Sequence, residues 1–310
     1  MRRVHCPTCA NEVFFDSMAC VRCHTPLAME IDGGLCAVDA TRVLPCARRE
    51  TWQCNWTAVR AGAPLCRSCV LVDAGGHDAD PLMTAFQSAQ RRALYQLDVL
   101  GVPWTIGLRF IYRSTAAGDD AVIGHRGGKI TLDLDEADPT RRAHIQASLG
   151  EHYRTPLGHI LHELGHFAWA ALVAAHPDRL DEFRALFGDE RADYAAALDT
   201  HYGRADDGSW RETHASFYAS AHPWEDFAES WAQLMHVHDV VETGAEWGVV
   251  CAPDDRGNAT AWLATSVTAG VAANELARAM GMRDLYPFAL TAGVRVKVEF
   301  CWGLLPVRVG

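Results

Sequence analysis

"PLGHILHELGHFAWAAL", residues 156–172, sets two histidines four residues apart inside an apolar run, with a glutamate directly after the first of them. The apolar residues Leu157, Ile160, Leu161, Leu164, Phe167, Ala168, Ala171 and Leu172 recur at three- and four-residue steps, the period of an amphipathic helix. On such a helix residues i and i+4 share a face one turn apart, so His162 and His166 can turn imidazole nitrogens toward one ion. Glu163 then stands on the same rim, near enough to hold a water without binding the ion itself, as a general base for hydrolysis must. Gly165 leaves a gap where another backbone can approach closely. A plain alternative stands beside this reading, since a chain with 15 histidines can carry two on one helix by chance. What separates the two is a third ligand: a catalytic zinc takes three from the protein and keeps one position open.

Acidic candidates for that ligand lie in "HPWEDFAESWAQLMHVHD", residues 222–239. Pro223 and the spacing of Phe227, Trp231 and Leu234 predict a second helix over 223–238. Glu225 and Glu229 share one of its faces. Glu225 is the candidate third ligand, and Glu229, one turn on, is the candidate acceptor for the second N–H of a ligating histidine. Asp226, His222 and His214 are the alternatives, and a solvated glutamate pair is the reading without a metal.

Nine of the eleven cysteines precede residue 70, and six of them form C-x2-C pairs: Cys6 with Cys9, Cys20 with Cys23, Cys66 with Cys69. A two-residue spacer lets both thiolates turn onto one metal, and two pairs close a tetrahedron. Cys6, Cys9, Cys20 and Cys23 therefore predict one four-thiolate site. Cys46, Cys54, Cys66 and Cys69 predict a second, with Cys36 as the alternative to Cys46. Closed sites have no open position, so these two zinc ions are expected to be structural.

"DAGGHDADP", residues 73–81, reads as a linker. It divides the chain into a zinc-ribbon domain, 1–75, and a second domain, 76–310. Within the latter the pattern predicts a helix from about residue 81 to Gly101, a strand in "WTIGLRFIYR" and a hairpin in "VIGHRGGKITLDL" that turns at Gly127 and Gly128. Helices are expected over 155–175, 178–187, 189–201, 223–238 and 258–281, and a last strand in "VRVKVEFCW". Strands followed by helices make an α+β arrangement, with a small antiparallel or mixed sheet and a mostly helical C-terminal part.

The net charge of -11 argues against bulk attraction to nucleic acid or anionic membranes. Residues 1–75 hold 8 Arg and 7 Asp plus Glu, a sum of +1, so the remainder carries -12. Arg42, Arg48 and Arg49 in the cysteine-rich segment are compatible with a protein partner, and a nucleic acid is the weaker expectation. Neither a secretion signal nor an apolar run of membrane-spanning length is present, which makes the cytoplasm the expected location.

"HELGH" with "EDFAE" resembles the gluzincin metallopeptidases. The wider set, "CPTC...CVRC...CNW...CRSC", "HYRTPLGHILHELGH", "FGDERADYAAAL", "SFYASAHPWEDFAESW" and "DLYPF", resembles the bacterial "putative zinc-binding metallopeptidase" family that carries an N-terminal zinc ribbon. The resemblance implies a zincin-like domain in which His162, His166 and Glu225 bind zinc, Glu163 is the base and Glu229 bonds a ligand. It also singles out Tyr218, seven residues before Glu225, as an oxyanion donor; packing beside Phe217 is its alternative role. "HFAWAAL" departs from the "HYYWD"-like continuation of the family, which puts local substrate contacts in doubt. The implied activity is hydrolysis of peptide bonds in a peptide or protein substrate, with one catalytic and two structural zinc ions. The strand near 129–134 is expected to offer its edge to an extended peptide. A non-catalytic zinc-binding scaffold whose ribbon docks a partner is the alternative function.

Overall fold

The computed structural model describes residues 1–30, 34–39, 43–59, 62–104, 107–120, 122–149, 155–285 and 290–306. Arg42, His152, Tyr153, Arg154 and the Tyr286, Pro287 and Phe288 of "DLYPF" lie outside them. The fold is α+β, and the chain divides into two compact units: Met1–Val99 with Pro103–Ile160, and Leu100–Val102 with Leu161–Gly310.

The first unit begins with two small hairpins, β1 (Val4–His5) with β2 (Glu12–Val13) and β3 (Leu27–Glu30) with β4 (Gly34–Ala37). Ala10 and His24, each following the second cysteine of a C-x2-C pair, adopt positive φ of 56° and 58°, so the chain reverses directly behind the thiols. Strand β5 (Val72–Asp73) then leads through helix α1 (Leu82–Leu100) to β6 (Arg109–Arg113), β7 (Gly124–Arg126), β8 (Lys129–Asp133) and helix α2 (Pro139–Leu149). The mixed sheet runs β5-β6-β8-β7.

Gly127 and Gly128, at φ 57° and 81°, form the two-residue turn between β7 and β8. Positive φ at both positions matches the strand twist and is open to glycine at little steric penalty. The expected peptide-binding edge is corrected here. Strand β8 pairs in parallel with β6 along its length and antiparallel with β7 over Lys129–Thr131, so it lies inside the sheet and the edges are β5 and β7. The division into units also does not follow the sequence boundary at residue 75. β5 pairs with β6, Trp52 donates to Asp78 O at 2.9 Å, and Gln90 on α1 donates to Ser68 O and Oγ at 3.1 and 2.8 Å. The cysteine-rich segment thereby shares a unit with the sheet.

The second unit is helical: α3 (Pro156–Leu172, from Leu161), α4 (Pro177–Phe187), α5 (Tyr194–Tyr202), α6 (Pro223–Glu246), α7 (Ala259–Ala279) and α8 (Ala292–Gly303). Helix α6 is its axis, burying Phe227, Trp231, Leu234, Met235, Val237 and Val241 at core spacing. Phe183, Phe187, Phe227 and Phe300 pack ring on ring around it at 4.9 to 6.4 Å. Helix α5 begins five residues later than the pattern predicts, because Asp193 caps it by accepting from Ala196 N.

"VRVKVEFCW" is a correction too: it is the body of α8, not a strand. Its alternation hides a second period. Val294, Lys297, Val298, Cys301 and Trp302 are the buried set, at steps of three and four, and Thr291 caps the helix. Lys297 is buried because its ammonium meets Asp226 Oδ2 at 2.5 Å and Thr213 O at 2.6 Å. An apparently outward charge in a strand is thus an inward, paired charge in a helix. No helix among the described residues is long and apolar enough to cross a membrane.

His238 on α6 is 3% exposed and stacks on Trp262, with centroids 5.1 Å apart and planes 5° from parallel. Burial pushes its pKa down to about 4. The unfolded chain, with a histidine near 6.5, binds the proton first as pH falls. The stabilisation from keeping His238 neutral is therefore full above pH 6.5 and is lost as the pH falls toward 4. Urea unfolding at pH 7.5 and pH 5 is expected to show a loss of about 2 kcal/mol assignable to this residue, which is absent in His238→Phe.

Candidate metal centre

Three groups of side chains in the described residues could each hold a metal ion. Cys6, Cys9, Cys20 and Cys23 form the first, with Sγ separations of 3.6 Å for Cys6–Cys23 and Cys9–Cys20. Cys46, Cys54, Cys66 and Cys69 form the second, with 3.7 Å for Cys54–Cys66 and 3.6 Å for Cys54–Cys69. A disulfide would bring the sulfurs to about 2.0 Å. The edge of a zinc–thiolate tetrahedron, from a metal–sulfur distance of about 2.3 Å, is about 3.8 Å, so the donor sets fit zinc.

Two backbone N–H groups, from Cys66 and Cys69, donate to the sulfurs of Cys46 and Cys66, each at 3.3 Å. Arg91, 1% exposed, donates to the Gln53 carbonyl just before Cys54 and sets a positive charge beside this thiolate group. Cys36 lies apart on β4, where its thiol donates to Ala28 O at 3.2 Å.

The third group, His162, His166 and Glu225, is wholly within the second unit and buried. Gly165 is why α3 and α6 can bring it together: a Cβ there would lie 2.7 Å from Ala228 Cα and 3.0 Å from Ala228 O. With only hydrogen at that position, the face of α3 carrying both histidines lies against the first turns of α6. Glu225 Oε2 is 3.0 Å from His162 Nε2 and 3.4 Å from His166 Nε2. Ligands at about 2.1 Å from a tetrahedral zinc stand about 3.4 Å apart, so this donor set fits as well. Glu229 Oε1 reaches His162 Nδ1 at 2.6 Å, one turn beyond Glu225. That bond commits Nδ1 and leaves Nε2 to face the group.

Electrostatics tie the cluster together. Burial disfavours a charged His162, yet the Glu225 and Glu229 carboxylates outweigh it and raise its pKa well above the ordinary value. Burial likewise pushes Glu225 up, and the two histidines hold it well below the usual carboxylate range. Metal binding at this group has to displace a proton.

The alternative ligands are engaged elsewhere. His222 caps α6, its Nδ1 accepting from Trp224 N at 3.1 Å while Nε2 lies 3.2 Å from Ala192 O. Asp226 pairs with Lys297, and His214 Nε2 sits 3.6 Å from Asp226 Oδ2. Glu163 is 4% exposed and sits on α3 between the two histidines. Tyr218 opens a 3-10 turn, Tyr218–Ala221, and its ring centroid is 5.9 Å from that of His162. Phe217 packs on His201 at 4.2 Å, under Arg204, and Tyr218 meets the same His201 ring edge-on at 5.9 Å.

Two aromatic neighbours have no counterpart in the sequence reading. Trp224 packs against His166 at 4.4 Å between centroids, and Tyr194 donates its hydroxyl to Glu225 Oε1 at 2.6 Å. Tyr194 stands inside "FGDERADYAAAL", but neither its spacing nor its setting marks it as part of a site 31 residues on.

A family model described as "Putative zinc-binding metallo-peptidase" matches residues 81–304. An uncharacterized protein of Mycobacterium bovis and two from strains of Mycobacterium tuberculosis are each 35% identical over 326 aligned residues, which cover 97% of this chain and 94% of theirs. No solved structure matches.

Proposed function

Because the chain belongs to the family described as "Putative zinc-binding metallo-peptidase", we propose that it is a gluzincin-type zinc peptidase with His162, His166 and Glu225 as ligands and Glu163 as general base. The observation that carries this reading is the buried His162–His166–Glu225 cluster, whose donor atoms lie within 4.8 Å of one another beside a buried glutamate. Zinc bound there supplies a Lewis acid for the scissile carbonyl and lowers the pKa of water.

The protein's own groups do the rest. Glu163 takes a proton from the attacking water and hands it to the leaving amine. Tyr218 donates its hydroxyl to the carbonyl oxygen as negative charge develops there. Burial and the nearby Glu225 charge push the Tyr218 phenol up from its ordinary pKa, which keeps it a donor. Glu229 holds His162 through Nδ1. The substrate is a peptide or protein. The two thiolate groups hold structural zinc, and the cytoplasm is the location that goes with this reading.

Metal analysis tests the reading. The wild-type protein is expected to hold three zinc ions, one for each group, and His162→Ala with His166→Ala is expected to lose one of them and keep the thiolate-bound pair. A wild-type protein saturated by the thiolate-bound zinc alone would sink it.

A further inference from the structure

Tyr194 is the first residue of α5, and its hydroxyl donates to Glu225 Oε1 at 2.6 Å. The other carboxylate oxygen, Oε2, faces His162 Nε2 and His166 Nε2 at 3.0 and 3.4 Å. Glu225 is 1% exposed, so bulk water does not compete for either oxygen. We infer that Tyr194 is a positioning residue of the metal centre: its O–H holds Glu225 Oε1 and so presents Oε2 alone to the metal. The inference rests on the proposed histidine–glutamate centre and adds to it a residue that acts through Glu225.

Both ends of the Tyr194–Glu225 bond are anchored. Asp193 caps α5 by accepting from Ala196 N at 3.1 Å, which places Tyr194 at the mouth of the helix. The Tyr194 ring meets His222 edge-on at 5.2 Å and Trp224 at 6.0 Å. His222 in turn caps α6, the helix that carries Glu225 in its first turn, and its Nε2 lies against the carbonyl of Ala192 two residues before Tyr194. One imidazole therefore fixes the start of both elements. A hydroxyl on a carboxylate makes a charge-assisted bond, stronger than a neutral one. With Oε1 tied, the carboxylate is restrained from swinging to bind through both oxygens or from turning away. Bonds that orient a metal ligand in this manner are worth about 10–100-fold in metal affinity.

Tyr194→Phe removes the O–H and leaves the ring against His222 and Trp224. Zinc affinity is measured on the full chain by competition with a chromogenic chelator. Tyr194→Phe is expected to weaken the zinc at the histidine–glutamate group by about 10–100-fold while both thiolate-held ions stay bound. In a Glu225→Ala background, Tyr194→Phe should weaken binding no further, because the hydroxyl has lost the group through which it acts. Unchanged affinity in Tyr194→Phe overturns the inference, as does loss of the thiolate-bound zinc, or an equal loss in the Glu225→Ala background. A wild-type protein that binds no zinc outside the thiolate groups overturns the metal centre and this inference together, whereas normal wild-type binding with an unaffected Tyr194→Phe overturns only the latter.

Discussion

Glu163→Gln is expected to keep all the zinc of the wild-type protein and to slow peptide hydrolysis by about 10²–10⁴-fold, the usual contribution of a positioned general base. Gln fills the same volume and leaves the helix face of α3 intact, so His162, His166 and Glu225 keep their places. What it lacks is an oxygen that can take a proton. Glu163 is 4% exposed, and a neutral amide is easier to bury than a carboxylate, so no loss of stability is expected to confuse the result. The loss should fall on kcat with KM little changed, since the glutamate acts on the moving proton and not on substrate held in the ground state. Turnover of a quenched fluorescent peptide library by the two proteins, with zinc content measured on the same samples, is the experiment. Equal turnover would remove Glu163 from the proposed chemistry.

Cys66→Ser is expected to lose one zinc ion and to open residues 43–73 to proteolysis. Cys46, Cys54, Cys66 and Cys69 are each at most 1% exposed, and the described residues around them form turns, irregular stretches and isolated bridges in place of long strand ladders. Its order therefore depends on the metal. Structural zinc contributes about 10–16 kcal/mol to folding in small zinc-finger peptides at neutral pH. Cys36→Ser is the matched control. Its thiol bonds the Ala28 carbonyl on β3 and stands outside the group, so zinc content and protease resistance should remain those of the wild-type protein. Limited trypsin digestion with zinc analysis reads both outcomes. Zinc loss in Cys36→Ser, or its retention in Cys66→Ser, would reassign the second ribbon site.

Several parts of the fold and of the candidate site were legible in the amino-acid sequence because their signals are local. The i, i+4 step of His162 and His166, the C-x2-C pairs and the glycine pair at 127–128 each follow from chain geometry over a few residues. The course of residues 293–302 was not legible in this way. Valines alternating with Arg295, Lys297 and Glu299 suit a strand, and the helix wins because Asp226, far off in sequence, accepts the Lys297 ammonium inside the second unit. The setting of β8 was hidden for a similar reason. A strand's pattern shows which face is buried, whereas its neighbours are chosen by pairing with distant segments.

For this protein the sequence by itself determined the donor types, their spacing along each element and the family, since metal ligation is written in residue identity and helical period. Only the tertiary structure decided which distant groups meet. It sets Glu225 rather than Asp226 or His222 against the two histidines, and it lets α6 approach because Gly165 carries no side chain. Tyr194 was beyond the reach of sequence reading for the same physical reason: a hydroxyl donating to a carboxylate 31 residues away leaves no periodic trace.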